Sequence, residues 1–253
     1  MAGHSKWANI KHRKGAQDKK RAKIFTRLIK EITVAVKEGG PEEESNPRLR
    51  LAVQNAKGQN MPKDTIERAI KKASGADGDN YTEVHFEGYA PNGIAVVVEA
   101  TTDNNNRTVS NVRSIFNKYG GSLGTKGSLE FIFDRKGVFE IKREMLEGKD
   151  LEELEMELID AGLEEMDKSD DEVITLYTSF DDFGNMNNKL EELKIEVKSA
   201  EVQRIPNNTE TLDVEKAKKV LNVIEKFEED DDVNTVYHNL ELTDELQQAL
   251  EEE

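Results

Sequence analysis

The chain contains no cysteine, and its 253 residues include only five prolines and one tryptophan. The absence of cysteine excludes disulfide bonds, thiolate metal sites and a thiol nucleophile. No apolar run approaches the roughly 18 residues of a membrane span, and the first residues lack the apolar core of a secretory signal. The sequence therefore predicts a soluble protein of a reducing compartment.

Negative charge predominates, because 52 Asp and Glu against 36 Lys and Arg give a formal net charge of −16. Positive charge is concentrated near the N-terminus, where the first 30 residues carry ten cations and a single acid, Asp18. Such an asymmetry predicts a basic module that binds a polyanion and an acidic remainder that does not. The simpler interpretation, an acidic body that keeps the chain soluble, leaves the basic N-terminus unexplained.

Helical periodicity predicts three short helices in residues 1–78, at 16–37, 47–57 and 62–73, after an irregular basic arm. In the first helix the apolar residues share one broad arc, with a narrower basic stripe roughly opposite. The stripe consists of Lys19, Lys23, Arg27, Lys30 and Lys37.

The arm and the stripe are the candidate nucleic-acid contacts, because Lys and Arg neutralise backbone phosphates and aromatic rings stack on exposed bases. Two other interpretations remain open: an ordinary solvated helix face with Trp7 packed on the bundle, and a cationic helix on a membrane surface. The predicted contacts are Lys6, Trp7, Lys11, His12, Arg13, Lys14, Lys19, Lys20, Lys23, Arg27 and Lys30.

The sequence pattern in the middle of the chain predicts two units that contain strands. Residues 81–133 give ββαβ, with strands at 82–89 and 94–101 and a helix capped by Asp103 or Asn104. A loop rich in glycine, residues 120–127, then leads to a predicted strand at 129–133. Residues 137–205 give βαββαβ, which is the order of a ferredoxin-like sandwich.

A further helix at 214–228 and a strand at 233–237 are too little for a domain of their own. They would complete the ββαβ unit, although a separate C-terminal tail would give a similar pattern. The predicted fold class is α+β: an N-terminal helical bundle followed by two α/β domains, one ferredoxin-like and inserted in the other. The predicted domains are residues 1–78, residues 79–134 with 206–253, and residues 135–205.

The sequence offers no catalytic motif, since phosphate-loop, HExxH and GxSxG patterns are all missing. The four histidines lack second ligands at metal spacing. Asp230, Asp231 and Asp232 resemble part of a calcium loop but lack its central glycine, so a solvated linker is predicted there. We expect no catalytic residue, metal or other cofactor, and keep an enzyme as the weaker alternative.

Four segments carry specific motifs: GHSKWANIKHRK at 3–14, NMPKDTIERAI at 60–70, TDNNNRT at 102–108 and GGSLG at 120–124. Together they closely resemble the YebC family, which includes the mitochondrial translational activator of cytochrome c oxidase. The resemblance implies three domains, with one α/β domain inserted in the other. Because the first motif begins at Gly3, with no space for a presequence, it also implies the bacterial cytoplasmic form.

The family resemblance implies two functions, neither of which needs catalytic residues. Members are described as DNA-binding transcriptional regulators and as ribosome-associated translation factors that help difficult sequences, such as consecutive prolines, through synthesis. Our first hypothesis is a non-enzymatic ribosome-associated factor whose arm binds RNA, without a membrane or a small-molecule substrate. The alternatives are a DNA-binding regulator and a protein-interaction scaffold that uses the acidic domains.

Overall fold

The computed structural model describes residues 17–75 and 78–251, and within these ranges the chain forms eight α-helices and eight β-strands. In chain order the elements are α1 Gln17–Gly39, α2 Pro47–Gly58, α3 Lys63–Ser74, β1 Thr82–Tyr89, β2 Ala95–Thr102, α4 Asn105–Lys118, β3 Ser122–Leu123, β4 Phe133–Lys142, α5 Leu151–Ile159, β5 Leu163–Asp167, β6 Val173–Ser179, α6 Phe183–Glu192, β7 Ser199–Pro206, α7 Val214–Glu229, β8 Val233–His238 and α8 Asp244–Glu251.

By its internal contacts the chain divides into two compact units. The first contains the described residues up to Lys30, Asp79–Asp134 and the residues from Ile205 onward. The second contains Glu31–Gly78 and Arg135–Arg204. The helix α1 therefore contributes residues to both units. The division into three domains, with residues 1–78 as one of them, stays a prediction.

The three predicted N-terminal helices are confirmed, with ends that move by at most two residues. Asn46 sets the turn between α1 and α2. Its side-chain oxygen accepts a hydrogen bond from the amide of Leu49 at 3.0 Å, and its amide group donates to the carbonyls of Ala35 and Gly40 at 2.8 Å each. Pro47 follows at the first helical position, where a missing N–H costs nothing.

The sheet of the first unit has the strand order β3-β1-β2-β8, with β2 antiparallel to both of its neighbours. Its central strand β2 begins with four buried apolar residues, which suits a strand covered on both faces. Val96 and Val98 belong to a core with residues of α4 and α7. Ala95 and Val97 belong to a smaller core on the alternate face, with Leu129, Phe133 and Tyr237. Because β8 pairs with β2, the C-terminal helix and strand complete the ββαβ unit.

The predicted strand at 129–133 is wrong. The short strand β3 pairs with β1, and residues 126–132 form turns instead. The buried carboxylate of Glu87 is the reason, because it accepts hydrogen bonds from the amides of Gly127 at 2.9 Å and Leu129 at 2.7 Å. These bonds occupy amides that a strand ladder would need, and Gly127 adopts a φ of +86° in the turn.

Replacing Glu87 with Ala should lower the free energy of unfolding by about 2 kcal/mol, because the two amides lose their acceptor. Urea denaturation followed by circular dichroism measures this change. Glu130→Ala in the same turn is the control, since Glu130 is exposed. Equal unfolding midpoints for the wild type and Glu87→Ala would contradict this account of the turn.

The second unit contains a sheet of strand order β5-β6-β4-β7. With α5 and α6 its strands follow βαββαβ in the chain, and the first and third strands lie in the centre, as in a ferredoxin-like sandwich. Asn55 of α2 bonds the backbone of Ala200 twice, donating at 2.9 Å and accepting at 2.8 Å. The predicted fold class, α+β with a ferredoxin-like unit inserted in another α/β unit, is confirmed.

Candidate nucleic-acid interface

Six of the eleven predicted contacts lie outside the described residues: Lys6, Trp7, Lys11, His12, Arg13 and Lys14. Lys19 and Lys20 belong to the first turns of α1, and their side chains also lie outside the described part of the structure. The structure therefore places the side chains of three predicted contacts, which are Lys23, Arg27 and Lys30.

These three side chains lie along one face of α1, as their spacing predicts, and all three contact the region around the start of β8. The ammonium of Lys23 donates to the carbonyl of Asp230 at 2.9 Å. The Nη1 of Arg27 donates to Oγ1 of Thr235 at 3.4 Å. The basic face of α1 is therefore turned, in this part, toward the protein itself.

Lys30 is the most buried of the three, with only 7% of its surface exposed. Its ammonium donates to the carbonyls of Thr101 at 2.9 Å and Asp231 at 2.7 Å, and it lies 3.6 Å from a carboxylate oxygen of Asp232. A phosphate could replace these oxygens only if the contacts broke. In this structure Lys30 fixes α1 to the sheet of the first unit.

Asp232 is the centre of the polar network that receives Lys30. Its carboxylate accepts hydrogen bonds from Nη2 of Arg107 at 2.7 Å, from Oγ1 of Thr108 at 2.8 Å and from Oγ1 of Thr102 at 3.2 Å. Burial alone would raise the pKa of Asp232. The hydrogen bonds from Arg107 and Thr108, with the positive charges of Arg107 and Lys30, outweigh burial and hold the pKa below its usual value.

The same network fixes the start of α4. Asn104 is the N-cap, since its side chain accepts from the amide of Arg107 at 3.1 Å, and this decides between the two predicted caps. Asp103 forms a second ion pair with Arg107 at 2.7 Å. The hydrogen bonds from Asp232 and Asp103 raise the pKa of Arg107 further above its already high value. The motif at 102–108 therefore has a structural role.

The predicted solvated linker at Asp230, Asp231 and Asp232 is wrong for its last residue, because Asp232 is buried and bonded. The carbonyls of the other two accept hydrogen bonds from lysines of α1. Runs of acids are usually exposed to solvent. The partners of this acidic run lie 125 and 201 residues away in the chain. Only the presence of both the basic stripe and the motif at 102–108 could have indicated that the acidic run is bonded.

The cations in the described part of α1 differ in their contacts. Lys23 and Lys30 are engaged with the segment at 230–232, and Lys30 also lies 3.6 Å from the carboxylate of Asp232. Arg21, which is not part of the predicted stripe, is exposed, with its guanidinium 5.2 Å from the centre of the Phe25 ring. Lys23 and Lys30 are therefore engaged within the first unit, whereas Arg21 faces solvent.

In the ranges 17–75 and 78–251, no group of three or more His, Cys, Asp or Glu side chains could hold a metal ion. Within the same ranges, no helix is long and apolar enough to cross a membrane.

Comparison with known proteins places the chain in a family. The model of the TACO1/YebC N-terminal domain matches residues 5–76, and the model of the second and third domain matches residues 81–240. A "probable transcriptional regulatory protein" of Amoebophilus asiaticus is 54% identical over 241 residues, which are 95% of this chain and 98% of the relative. One from Thermotoga maritima is 52% identical over 252 residues, covering 99% and 98%.

A solved structure supports the same assignment. The crystal structure of a conserved hypothetical protein from Aquifex aeolicus is 43% identical and superposes with a TM-score of 0.76, over 87% of this chain and 90% of that chain. The resemblance predicted from the four motifs is confirmed, and the chain belongs to the TACO1/YebC family.

Proposed function

We propose that this chain is a non-enzymatic, nucleic-acid-binding regulator of gene expression that acts on the ribosome as a translation factor. It would relieve stalling, for example at consecutive prolines, and need no cofactor or small-molecule substrate. The observation that carries the proposal is the segregation of charge: ten cations and one acid in the first 30 residues of a chain whose net charge is −16. RNA attracts such an arm and repels the acidic body.

The contacts of α1 support this proposal. Among the described residues α1 runs from Gln17 to Gly39, and Lys23 and Lys30 bond carbonyl oxygens of the first unit. A helix held in this way loses little conformational entropy when a polyanion binds to its own cations.

The proposed mechanism is positional. Lys6, Lys11, Arg13 and Lys14 contact phosphates, and Trp7 and His12 stack on unpaired bases, which RNA loops offer more readily than duplex DNA. Lys19 and Lys20 extend the phosphate contacts along α1, with Lys23 and Arg27 at their border. Lys30 was in the predicted contact set, and we now assign it to the anchor on Asp232 instead.

The names of the relatives favour the alternative, a DNA-binding transcriptional regulator. In that case one helix of the bundle would read base edges in the major groove. The geometry of α3 argues against it, because two of its four cations bond their own helix. Lys63 lies 3.6 Å from Glu67, and Nε of Arg68 donates to the carbonyl of Asp64 at 2.9 Å.

A reconstituted bacterial translation system tests the proposal. We expect the added protein to shorten the ribosomal pause at a run of prolines and to leave a matched alanine template unaffected. Toe-printing on the two messages measures the pause. Equal pauses with and without the protein would contradict the translation function, and sequence-specific binding to duplex DNA by the same preparation would favour the alternative.

A further inference from the structure

A stretch without any acid runs from Asn104 to Leu129 in this acidic chain. Acids make up 52 of the 253 residues, so 26 residues would carry about five of them at the average frequency. The stretch instead carries four cations, Arg107, Arg113, Lys118 and Lys126, among asparagines, serines and glycines. It comprises α4 and the glycine-rich loop, and the proposed function uses neither.

The helix α4 turns part of this stretch into one surface. Its inward residues Val112 and Phe116 are fully buried in the core. Its outward residues line an open depression, and we call this set the α4 surface: Ser110, Arg113, Ser114, Asn117 and Lys118. All five are exposed. Within the described residues, the guanidinium of Arg113 has neither a hydrogen bond nor an ion pair.

The acids nearest to the start of α4 are already occupied. Asp103 is paired with Arg107 at 2.7 Å, and Asp232 accepts from Arg107 and Thr108. A carboxylate oxygen of Asp230 accepts from the side-chain amide of Asn111 at 2.9 Å. The later turns of α4 therefore present positive charge that acids of the helix's own flank do not cancel.

The α4 surface is also held rigidly. The N-cap and the Asp232 network fix one end of the helix. Near the other end, the rings of Phe116 and Phe227 lie 4.7 Å apart in the core, and the amide of Gly121 donates to the carbonyl of Phe116 at 2.8 Å. A surface held in this way loses little entropy when a ligand binds.

We propose that the α4 surface is a second RNA-binding surface, which contacts the sugar–phosphate backbone of an RNA strand. Arg113 and Lys118 would neutralise phosphates, and Ser110, Ser114 and Asn117 would hydrogen-bond phosphate and 2′-hydroxyl oxygens. The short polar side chains suit a backbone better than base edges, which are read by longer side chains that project into a groove. This inference rests on the proposed function and names a further surface for the same partner.

The double variant Arg113→Glu with Lys118→Glu tests the surface. The probe is a fluorescein-labelled oligouridylate of about 20 nucleotides, with affinity measured by fluorescence anisotropy at several salt concentrations. We expect affinity to fall about twentyfold at about 0.1 M salt, and the log–log salt slope to fall by about 1.4, because two phosphate contacts are lost. The matched control is the double variant Lys149→Glu with Lys219→Glu, which changes the net charge equally at two exposed positions. For this control we expect the affinity to change less than about threefold.

The outcomes separate this inference from the proposed function. If the wild type binds RNA and the α4 variant weakens no more than the control, the α4 surface is excluded while the function stands. If the wild type neither binds RNA nor sediments with ribosomes, both fail. Stronger displacement of the probe by duplex DNA than by unlabelled RNA would also overturn the inference. If the charge reversal disturbs folding, the double variant Arg113→Gln with Lys118→Gln replaces it. We expect this variant also to bind RNA more weakly than the wild type.

Discussion

Changing Lys11, Arg13 and Lys14 to Glu should lower the affinity of this chain for ribosomal RNA by about a hundredfold at about 0.1 M salt. Each cation that neutralises a phosphate releases a counterion, so the three losses multiply. The log–log slope of affinity against salt should fall by about 2 for single-stranded RNA. The effect is large because the variant reverses three of the four cations of the arm.

Filter binding of ribosomal RNA over a range of salt concentrations measures both quantities. The matched control changes three exposed lysines to Glu, at Lys149, Lys194 and Lys219, which gives the same net charge. If the two triple variants bind alike, the arm acts only through the overall charge. Affinity that is independent of salt would exclude phosphate contact by the arm and favour stacking or a protein partner instead.

Replacing Asp232 with Ala should lower the free energy of unfolding by about 3 kcal/mol. The change leaves the ammonium of Lys30 buried without its counter-charge and removes the acceptor for Arg107 and Thr108. This loss of stability is at the low end of the range for a broken buried ion pair, because Arg107 is half-exposed and water can solvate its charge. Asp231→Ala is the control, since the side chain of Asp231 is exposed and only its carbonyl meets Lys30.

The stability conferred by Asp232 should also depend on pH. Its pKa in the folded chain lies below the ordinary value of 3.8, so the charged form favours folding. This contribution is fully present above pH 3.8 and is lost as the pH falls through the folded pKa. Chemical denaturation from pH 7 to pH 2 should show the stability gap between the wild type and Asp232→Asn narrowing in acid. A constant gap across this range would contradict the network.

Local pattern was enough to predict most of the fold. The run at 82–89, which ends at a turn rich in Pro, Asn and Gly, predicted the observed bounds of β1, Thr82–Tyr89. The ferredoxin-like order likewise followed from segments whose periods switch between two and 3.6 residues. These signals depend on neighbours within a few positions, and such neighbours are visible in a single sequence.

Two buried carboxylates could not be predicted in this way. Glu87 holds a turn about 40 residues later in the chain, and Asp232 contacts Arg107 and Lys30, which are both far away in the sequence. In the sequence, these two residues cannot be distinguished from the other Asp and Glu of a chain that has 52 of them. Their importance arises from burial and from partners distant in sequence, which periodicity does not report. Charge counting predicted the arm as a nucleic-acid contact, and that assignment stays a prediction.

Sedimentation of a DNase-treated lysate through a sucrose gradient tests the central claim most directly. It compares the wild type with the variant in which Lys11, Arg13 and Lys14 are changed to Glu. The account predicts that the wild type travels with ribosomes and that the variant stays at the top of the gradient. A wild type that remains at the top with the variant would contradict it.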